Sequence, residues 1–363
     1  LYVEDVFSTY LYEGTGSGIA INNGIDLSGE GGLVIYRRRD GAENWSYQDT
    51  NRGVDSVIYS DSTNAAADPG GYGLASFNSN GFTTELNTNG ADYASWTFRE
   101  AKKFFDVVTY TGNGVTGRTV SHNLGSTPGC IIVKNTTTSG FNWMVLHSSV
   151  GATGSRIFLN LPDVYGADPS LWNSTNPTST EFTLGANPNV NSSGDTYVAY
   201  LFASDAGGFG DDGSENIIKC GSFVPASTWQ SVINIGFEPQ FILYKKATST
   251  GDWYIHDNMR GIFTGSADPV LSPNKSDAEI NYIDSFNLHA NGFEQTFSSV
   301  DTNTYIYIAI RRPMKTPEAG TEVFAPVNRT ATAPTYYTGF VTDMQIMTLL
   351  NGFQNQLTDR LRG

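Results

Sequence analysis

The chain has 363 residues, of which 13% are aromatic, 39 are glycine and only 16% are charged; this length exceeds one hydrophobic core, and the mixture suits many short strands joined by tight turns. Its 21 basic residues are outweighed by 36 acidic ones, a net charge of −15 that opposes a phosphate backbone and argues against nucleic-acid binding. No apolar run approaches the roughly eighteen residues that span a bilayer as a helix, the longest stretch being Tyr305 to Ile310, and Cys130 and Cys220 fall at non-equivalent places and read as free thiols.

In chain order the same series of elements recurs. An opening strand is expected at Phe7 to Tyr12, Val107 to Thr111, Ile217 to Phe223 and Val323 to Val327. A second apolar strand ending in a basic residue follows: Leu33 to Arg37, Ile131 to Lys134 and Phe241 to Lys245. Turns at Asp40-Gly41, Ser139-Gly140 and Thr250-Gly251 then lead into a tryptophan-bearing strand, so each pair reads as a hairpin.

The tryptophan segments align without gaps, Trp45 through Gly53, Trp143 through Gly151 and Trp253 through Gly261, with Asn355 through Gly363 as a fourth copy lacking the tryptophan. Spacings of 98, 110 and 102 residues separate positions 45, 143, 253 and 355, which places insertions in loops and favours bead-like domains over a strict solenoid. Each unit closes on an alternating strand, Tyr93 to Phe98, Tyr197 to Phe202 and Tyr305 to Ile310, whose period of two suits a sheet packed on both faces.

The fold class is therefore all-β: tandem β-sandwich-like domains of about 100 residues, three complete and one partial. The units run 1–104, 105–214, 215–316 and a partial 317–363. Between Thr342 and Arg362 a helical stripe competes with a hairpin, and the alignment favours the hairpin.

Candidate chemistry is sparse. Gly112-Asn113-Gly114-Val115-Thr116-Gly117 fits a phosphate-cradling pattern but precedes no amphipathic helix, so a hairpin turn is the better reading. His122, His147, His256 and His289 have no partner at metal-ligand spacing, and His147 stands where the other copies carry Asp49, Asp257 and Asp359, which suits a hydrogen-bonding or surface position better than a catalytic one. No G-x-S-x-G elbow occurs, and no pair of carboxylates is marked out for glycoside hydrolysis. Asp211, Asp212 and Glu215 share a turn and form a weak calcium candidate, set against a solvated acidic linker.

The recurring residues read as structural. Trp45, Trp143 and Trp253 could stack on sugars, yet recurrence in every full unit points to packing, as it does for Tyr93, Tyr197 and Tyr305 and for the turn glycines Gly53, Gly151 and Gly261. The pairs Asp49 with Arg52, Asp257 with Arg260 and Asp359 with Arg362 are expected to be exposed and worth at most about 1 kcal/mol each, shaping the turn. No catalytic residue and no cofactor is predicted.

The stretches Phe105 to Gly112, Val120 to Gly125, Glu215 to Gly221 and Tyr305 to Arg312 resemble repeats found in structural proteins of tailed bacteriophages, notably marine ones. The resemblance implies a virion component of tail-fibre, appendage or decoration type at the virion surface or outside the cell, and it supplies no catalytic or binding residues. It carries the expectation of a homo-oligomer, trimeric or higher, in contact with other virion proteins and with host-surface polysaccharide as a candidate ligand. A cellular extracellular filament or adhesin subunit is the alternative, and a glycan depolymerase a more remote one.

Overall fold

The computed structural model describes residues 1–152, 156–225, 230–262, 267–282, 286–296, 301–315, 320, 324, 326, 344–347 and 356–359. Among them the chain is built of antiparallel strands, with helix confined to short single turns such as Leu27–Glu30 and Pro169–Trp172.

In the first unit the strands are β1 (Phe7–Glu13), β2 (Ala20–Asn22), β3 (Gly32–Arg38), β4 (Ser46–Asp49), β5 (Ile58–Tyr59), β6 (Leu74–Asn78), β7 (Gly81–Thr84) and β8 (Asp92–Arg99). They form a large sheet in the order β1-β8-β3-β4-β5 and a small one in the order β2-β7-β6. The closing strand β8 thus lies between the first and third, Phe98 facing Phe7 on one side and Leu33 on the other. Its sequence explains the position: Tyr93 to Phe98 is buried throughout, as a central strand covered on both faces requires.

The second unit repeats this plan with β9 (Phe105–Thr111), β10 (Arg118–Ser121), β11 (Cys130–Asn135), β12 (Met144–His147), β13 (Ile157–Phe158), β14 (Glu181–Leu184) and β15 (Thr196–Phe202). Its large sheet is β13-β12-β11-β15-β9 and its small one β10-β14. The third unit supplies β16 (Ile218–Phe223), β17 (Gln230–Asn234), β18 (Pro239–Lys246), β19 (Trp253–Asp257), β20 (Asp268–Val270), β21 (Ile280–Tyr282), β22 (Phe286–His289), β23 (Gly292–Thr296) and β24 (Tyr305–Arg311). These make a β16-β24-β18-β19 sheet, a β17-β23-β22 sheet and the short β20-β21 pair.

Alternation along each strand divides the side chains between two cores. In unit 1 Val34 and Tyr36 join Ile21, Leu74 and Phe82 between the large and small sheets. In unit 3 Ile242, Tyr244, Tyr305, Tyr307 and Ala309 pack likewise on Phe286 and Phe293. The opposite faces, Leu33, Ile35, Trp96 and Phe98 of unit 1 and Phe241, Leu243, Ile306, Ile308 and Ile310 of unit 3, meet unit 2 in a single shared core. Phe98 stands at its middle, within 5.0 to 6.1 Å of Phe7, Phe105, Phe202 and Phe241 by ring centroid.

The units are therefore sandwiches, but not separate beads. Each large sheet is covered on one face by its own small sheet and on the other by its two neighbours. Irregular spacing reflects loop insertions, as expected, yet the inference from it to independent beads is corrected by the shared core.

In the tail, β25 (Met344–Met347) and β26 (Gln356–Asp359) pair antiparallel with Met344 opposite Asp359. That is the register in which Leu33 faces Asp49 in unit 1, so the described part of the tail is the hairpin of the alignment. Of the opening strand expected at Val323 to Val327, only Phe324 and Pro326 lie within the described residues.

Candidate functional site at the junctions between units

The three tryptophans are 0%, 0% and 2% exposed, which removes them from any sugar-stacking surface. Each backbone N–H donates to a side-chain oxygen of its own unit: Trp45 to Asp61 (3.1 Å), Trp143 to Asn160 (3.0 Å) and Trp253 to Asn274 (2.9 Å). Each indole Nε1 crosses to another unit. Trp45 donates to the carbonyls of Ser272 (2.9 Å) and Lys275 (3.0 Å) in unit 3, Trp143 to those of Tyr59 (2.9 Å) and Ser62 (3.2 Å) in unit 1, and Trp253 to that of Phe158 (2.7 Å) in unit 2.

The relation runs from unit 1 to 3, from 2 to 1 and from 3 to 2, which closes a ring. The basic residue at the end of the preceding strand follows the same path. Arg37 donates to the carbonyls of Lys275 (3.1 Å), Ser276 (3.2 Å) and Asp277 (2.6 Å), Lys134 to that of Thr63 (3.1 Å) and Lys245 to that of Leu161 (3.3 Å). Burial lowers the Arg37 guanidinium to about 10 and each of the two ammonium groups to about 8.

The Asp-x-x-Arg pairs correct the expectation of exposed ion pairs. Asp49 is 0% and Asp257 0% exposed, and their arginines bind them with Nε to Oδ2 distances of 2.6 Å in both copies. Each carboxylate also accepts from the next unit: Asp49 from the Tyr200 hydroxyl at 2.8 Å and Asp257 from Trp96 Nε1 at 3.1 Å. The arginine of the third copy, Arg362, lies outside the described residues.

The strand registers place Ile308 where the other units carry Trp96 and Tyr200, and the turn after His147 has Val150 in place of an arginine. A carboxylate at position 147 would have neither the hydroxyl or indole donor from the next unit nor a counter-ion. The imidazole instead donates from Nε2 to the Tyr307 carbonyl at 3.1 Å and accepts from the Ser149 N–H at 3.3 Å. Burial lowers its pKa to about 4, so it is neutral near pH 7. The alternation of Asp and His within the repeat is thus a choice between a compensated charge and no charge.

The other recurring residues serve each unit internally. Tyr93 stacks on Tyr12 (5.2 Å), Tyr197 on Tyr110 (5.1 Å) and Tyr305 on Phe223 (5.2 Å), each nearly parallel. Their hydroxyls pin the turn before the strand: Tyr93 accepts from Thr88 N–H, Tyr197 from Ser192 N–H, and Tyr305 donates to Asp301. Gly53, Gly151 and Gly261 hold φ of 82°, 72° and 111°, the left-handed turn that follows the Asp or His strand end.

The surface candidates are not brought together. Asp211 accepts from the Tyr2 hydroxyl, Asp212 caps its own turn through Ser214 N–H (2.9 Å), and Glu215 pairs with Arg311. Among the described residues no group of three or more His, Cys, Asp or Glu side chains is arranged to hold a metal ion. The Gly112 to Gly117 segment joins β9 to β10 as a turn pinned by Asn191, whose Oδ1 accepts from Asn113 N–H (2.9 Å) and whose Nδ2 donates to the Val115 carbonyl (3.0 Å). Cys130 and Cys220 are buried free thiols, that of Cys220 donating to the Ala203 carbonyl at 3.5 Å.

Two features escaped sequence reasoning. Asp61, Asn160 and Asn274 recur as acceptors for the tryptophan N–H, but they lie 16, 17 and 21 residues after it, across loops of unequal length. Glu100 and Asp106 flank the turn between units 1 and 2 with their carboxyls hydrogen-bonded, and burial, then the Asp106 charge, pushes Glu100 up to about 8. At the next linker Lys219 takes the place of Asp106 and pairs with Asp205 at 3.1 Å.

Comparison with known proteins adds little beyond the family. No curated protein matches the sequence. The crystal structure of the STIV MCP is 9% identical and covers 58% of this chain and 87% of its own, with a TM-score of 0.17, too low for a shared architecture to be argued from it. A family described as a domain of unknown function, DUF7483, matches residues 3–313, the span of the three closed units, and the chain belongs to that family.

Proposed function

We propose that the protein is a structural building block of a phage virion, of tail-fibre, appendage or decoration type, located at the virion surface. The observation that carries this reading is the use of the repeat: the indole of every copy is spent on closing the three units against one another. Residues that recur for packing leave recognition to the unequal loops, where a host-surface polysaccharide would be bound. The resemblance of the repeat to phage structural proteins supplies the virion context, and homo-oligomerisation with contacts to other virion proteins belongs to the same reading.

Immunogold electron microscopy of native particles, with antibody raised against the purified chain, tests it. Label on a tail, fibre or capsid surface is the expected result. Absence of label on every particle, together with release of reducing ends from host polysaccharide by the purified chain, would replace a structural role with an enzymatic one.

A further inference from the structure

Three of the four histidines are buried, and the two most deeply buried, His147 and His256, bear on unit 3. His256, 0% exposed, lies on β19 inside the third sandwich, its ring 4.5 Å from Phe286 and 5.8 Å from Tyr244. Neither ring nitrogen has a hydrogen-bond partner. The equivalent residue in unit 1, Gln48, is satisfied by the Tyr36 hydroxyl (2.7 Å), Leu74 N–H (3.1 Å) and the Val54 carbonyl (2.5 Å), and unit 2 has Leu146 there. Of the three sandwiches, only the third encloses an unsatisfied base at this position.

His147 reaches the same unit from the junction side through the Tyr307 carbonyl. The Tyr307 ring lies 5.7 Å from Phe293, Phe293 lies 5.2 Å from Phe286, and Phe286 packs on His256, so His147 holds the backbone of a residue whose ring belongs to the aromatic layer that His256 adjoins.

The surroundings offer no counter-ion for an imidazolium. Toward His256, β18 presents Ile242 and Tyr244, β22 Phe286 and β23 Phe293 with the Gln295 amide. The nearby charges are Arg260, of the same sign, its partner Asp257, which turns to Trp96 in the junction, and Asp268 on β20, whose carboxylate accepts from Phe286 N–H at 2.9 Å. Toward His147 the groups are Cys130, opposite it on β11, the Ser149 N–H of its own turn and the Tyr307 carbonyl on β24. A proton taken up at either ring is therefore a buried, unpaired charge.

We propose that unit 3 is an acid-triggered release element of the ring: protonation of His256 and His147 opens the third sandwich and its junction with unit 2, while the first sandwich stays folded. The proposal is independent of the virion reading. Desolvation, which lowers His256 to about 3 and His147 to about 4, sets the acid range in which the opening is driven.

Hydrogen exchange by mass spectrometry on the full chain, equilibrated from pH 7 to pH 3 and corrected for intrinsic rates, reads the opening unit by unit. Peptides from 218–311 should lose protection at a higher pH than those from 7–99. His256→Leu, the residue unit 2 carries, should lower that midpoint by about one pH unit, and His256→Gln does the same if the leucine variant does not fold. His289→Gln, on the edge strand β22 where the half-exposed ring bonds Glu294 (3.2 Å), should leave it in place. Loss of protection in all three units at one midpoint, or a midpoint that neither His256 variant moves, would overturn the proposal.

Discussion

Replacing His147 by aspartate gives unit 2 the residue that its two sister units use, and the junction geometry predicts that the exchange is severely destabilising. Asp49 and Asp257 survive burial because each has an arginine three residues on and a hydroxyl or indole donor from the next unit. Unit 3 carries Ile308 where the other units supply that cross-unit donor, and three residues after His147 stands Val150 in place of an arginine. A carboxylate at position 147 would be buried with a backbone N–H as donor and no counter-ion, and an uncompensated buried charge costs about 3–5 kcal/mol. Urea unfolding at pH 7, followed by intrinsic fluorescence, should show a loss of this size for His147→Asp. Adding Val150→Arg restores the missing cation and should recover about 2 kcal/mol or more of it.

The pH dependence has opposite signs in the two proteins. The wild-type imidazole has a folded pKa of about 4, below its ordinary value, so its contribution is complete above about pH 6.5 and is lost as the pH falls toward 4. In His147→Asp the buried carboxyl, without a counter-ion, has its folded pKa raised by desolvation, so the variant is penalised least in acid and increasingly as the pH rises. The deficit should therefore shrink on acidification. A cost below about 1 kcal/mol at pH 7, or a double variant no more stable than the single one, would refute the account of why the repeat alternates Asp and His.

Three further outcomes follow from the geometry. Glu279→Gln weakens the bonds to Arg39 (2.6 Å) and Arg260 (3.0 Å) and should cost about 2 kcal/mol in the same assay, whereas a change within about 0.5 kcal/mol would mean that this seam contributes nothing to holding the ring closed. Gly53→Ala meets no atom within 4 Å but must adopt φ of 82°, so it should lose about 1 kcal/mol through backbone strain alone; a stabilised variant would contradict that conformation. Glu100 has a folded pKa raised to about 8, so its favourable share is complete below about pH 4.5 and lost as the pH rises through 8; Glu100→Gln should gain in thermal midpoint relative to wild type between pH 6 and 9, and an unchanged difference across that range would rule out the shared proton.

Much of the unit was legible because the chain repeats itself. The tryptophans, the stacked tyrosines and the turn glycines recur at aligned positions, and the two-residue period of Tyr305 to Ile310 announced a strand buried on both faces. What the period does not carry is the identity of the second neighbour. Leu33 and Ile35 would alternate in the same way in an isolated three-layer sandwich, and only the folded chain shows that they face the other two units. Asp49 and Arg52 carry the pattern of an exposed pair because charged residues seldom go inside, and the group that makes burial tolerable, Tyr200, is 151 residues from Asp49 in sequence. The junction chemistry is non-local, so it was invisible to spacing.

Connectivity also explains why the three junctions differ. Units 1 and 2, and units 2 and 3, are tied by short linkers that keep their faces at high effective concentration. Unit 3 has no linker back to unit 1, so that contact must be closed by interactions alone. Here the basic residue is an arginine that reaches three carbonyls, whereas Lys134 and Lys245 each reach one across their junctions. Glu279 binds Arg39 of unit 1 and Arg260 of unit 3 at the same seam. At the other end of the unit 1 sheet Glu4 accepts the N–H groups of Met314 (2.9 Å) and Lys315 (2.8 Å), joining the start of unit 1 to the end of unit 3. Arginine's planar fork suits several fixed acceptors where an ammonium offers a single point, and the seam without a covalent tether is the one that carries it.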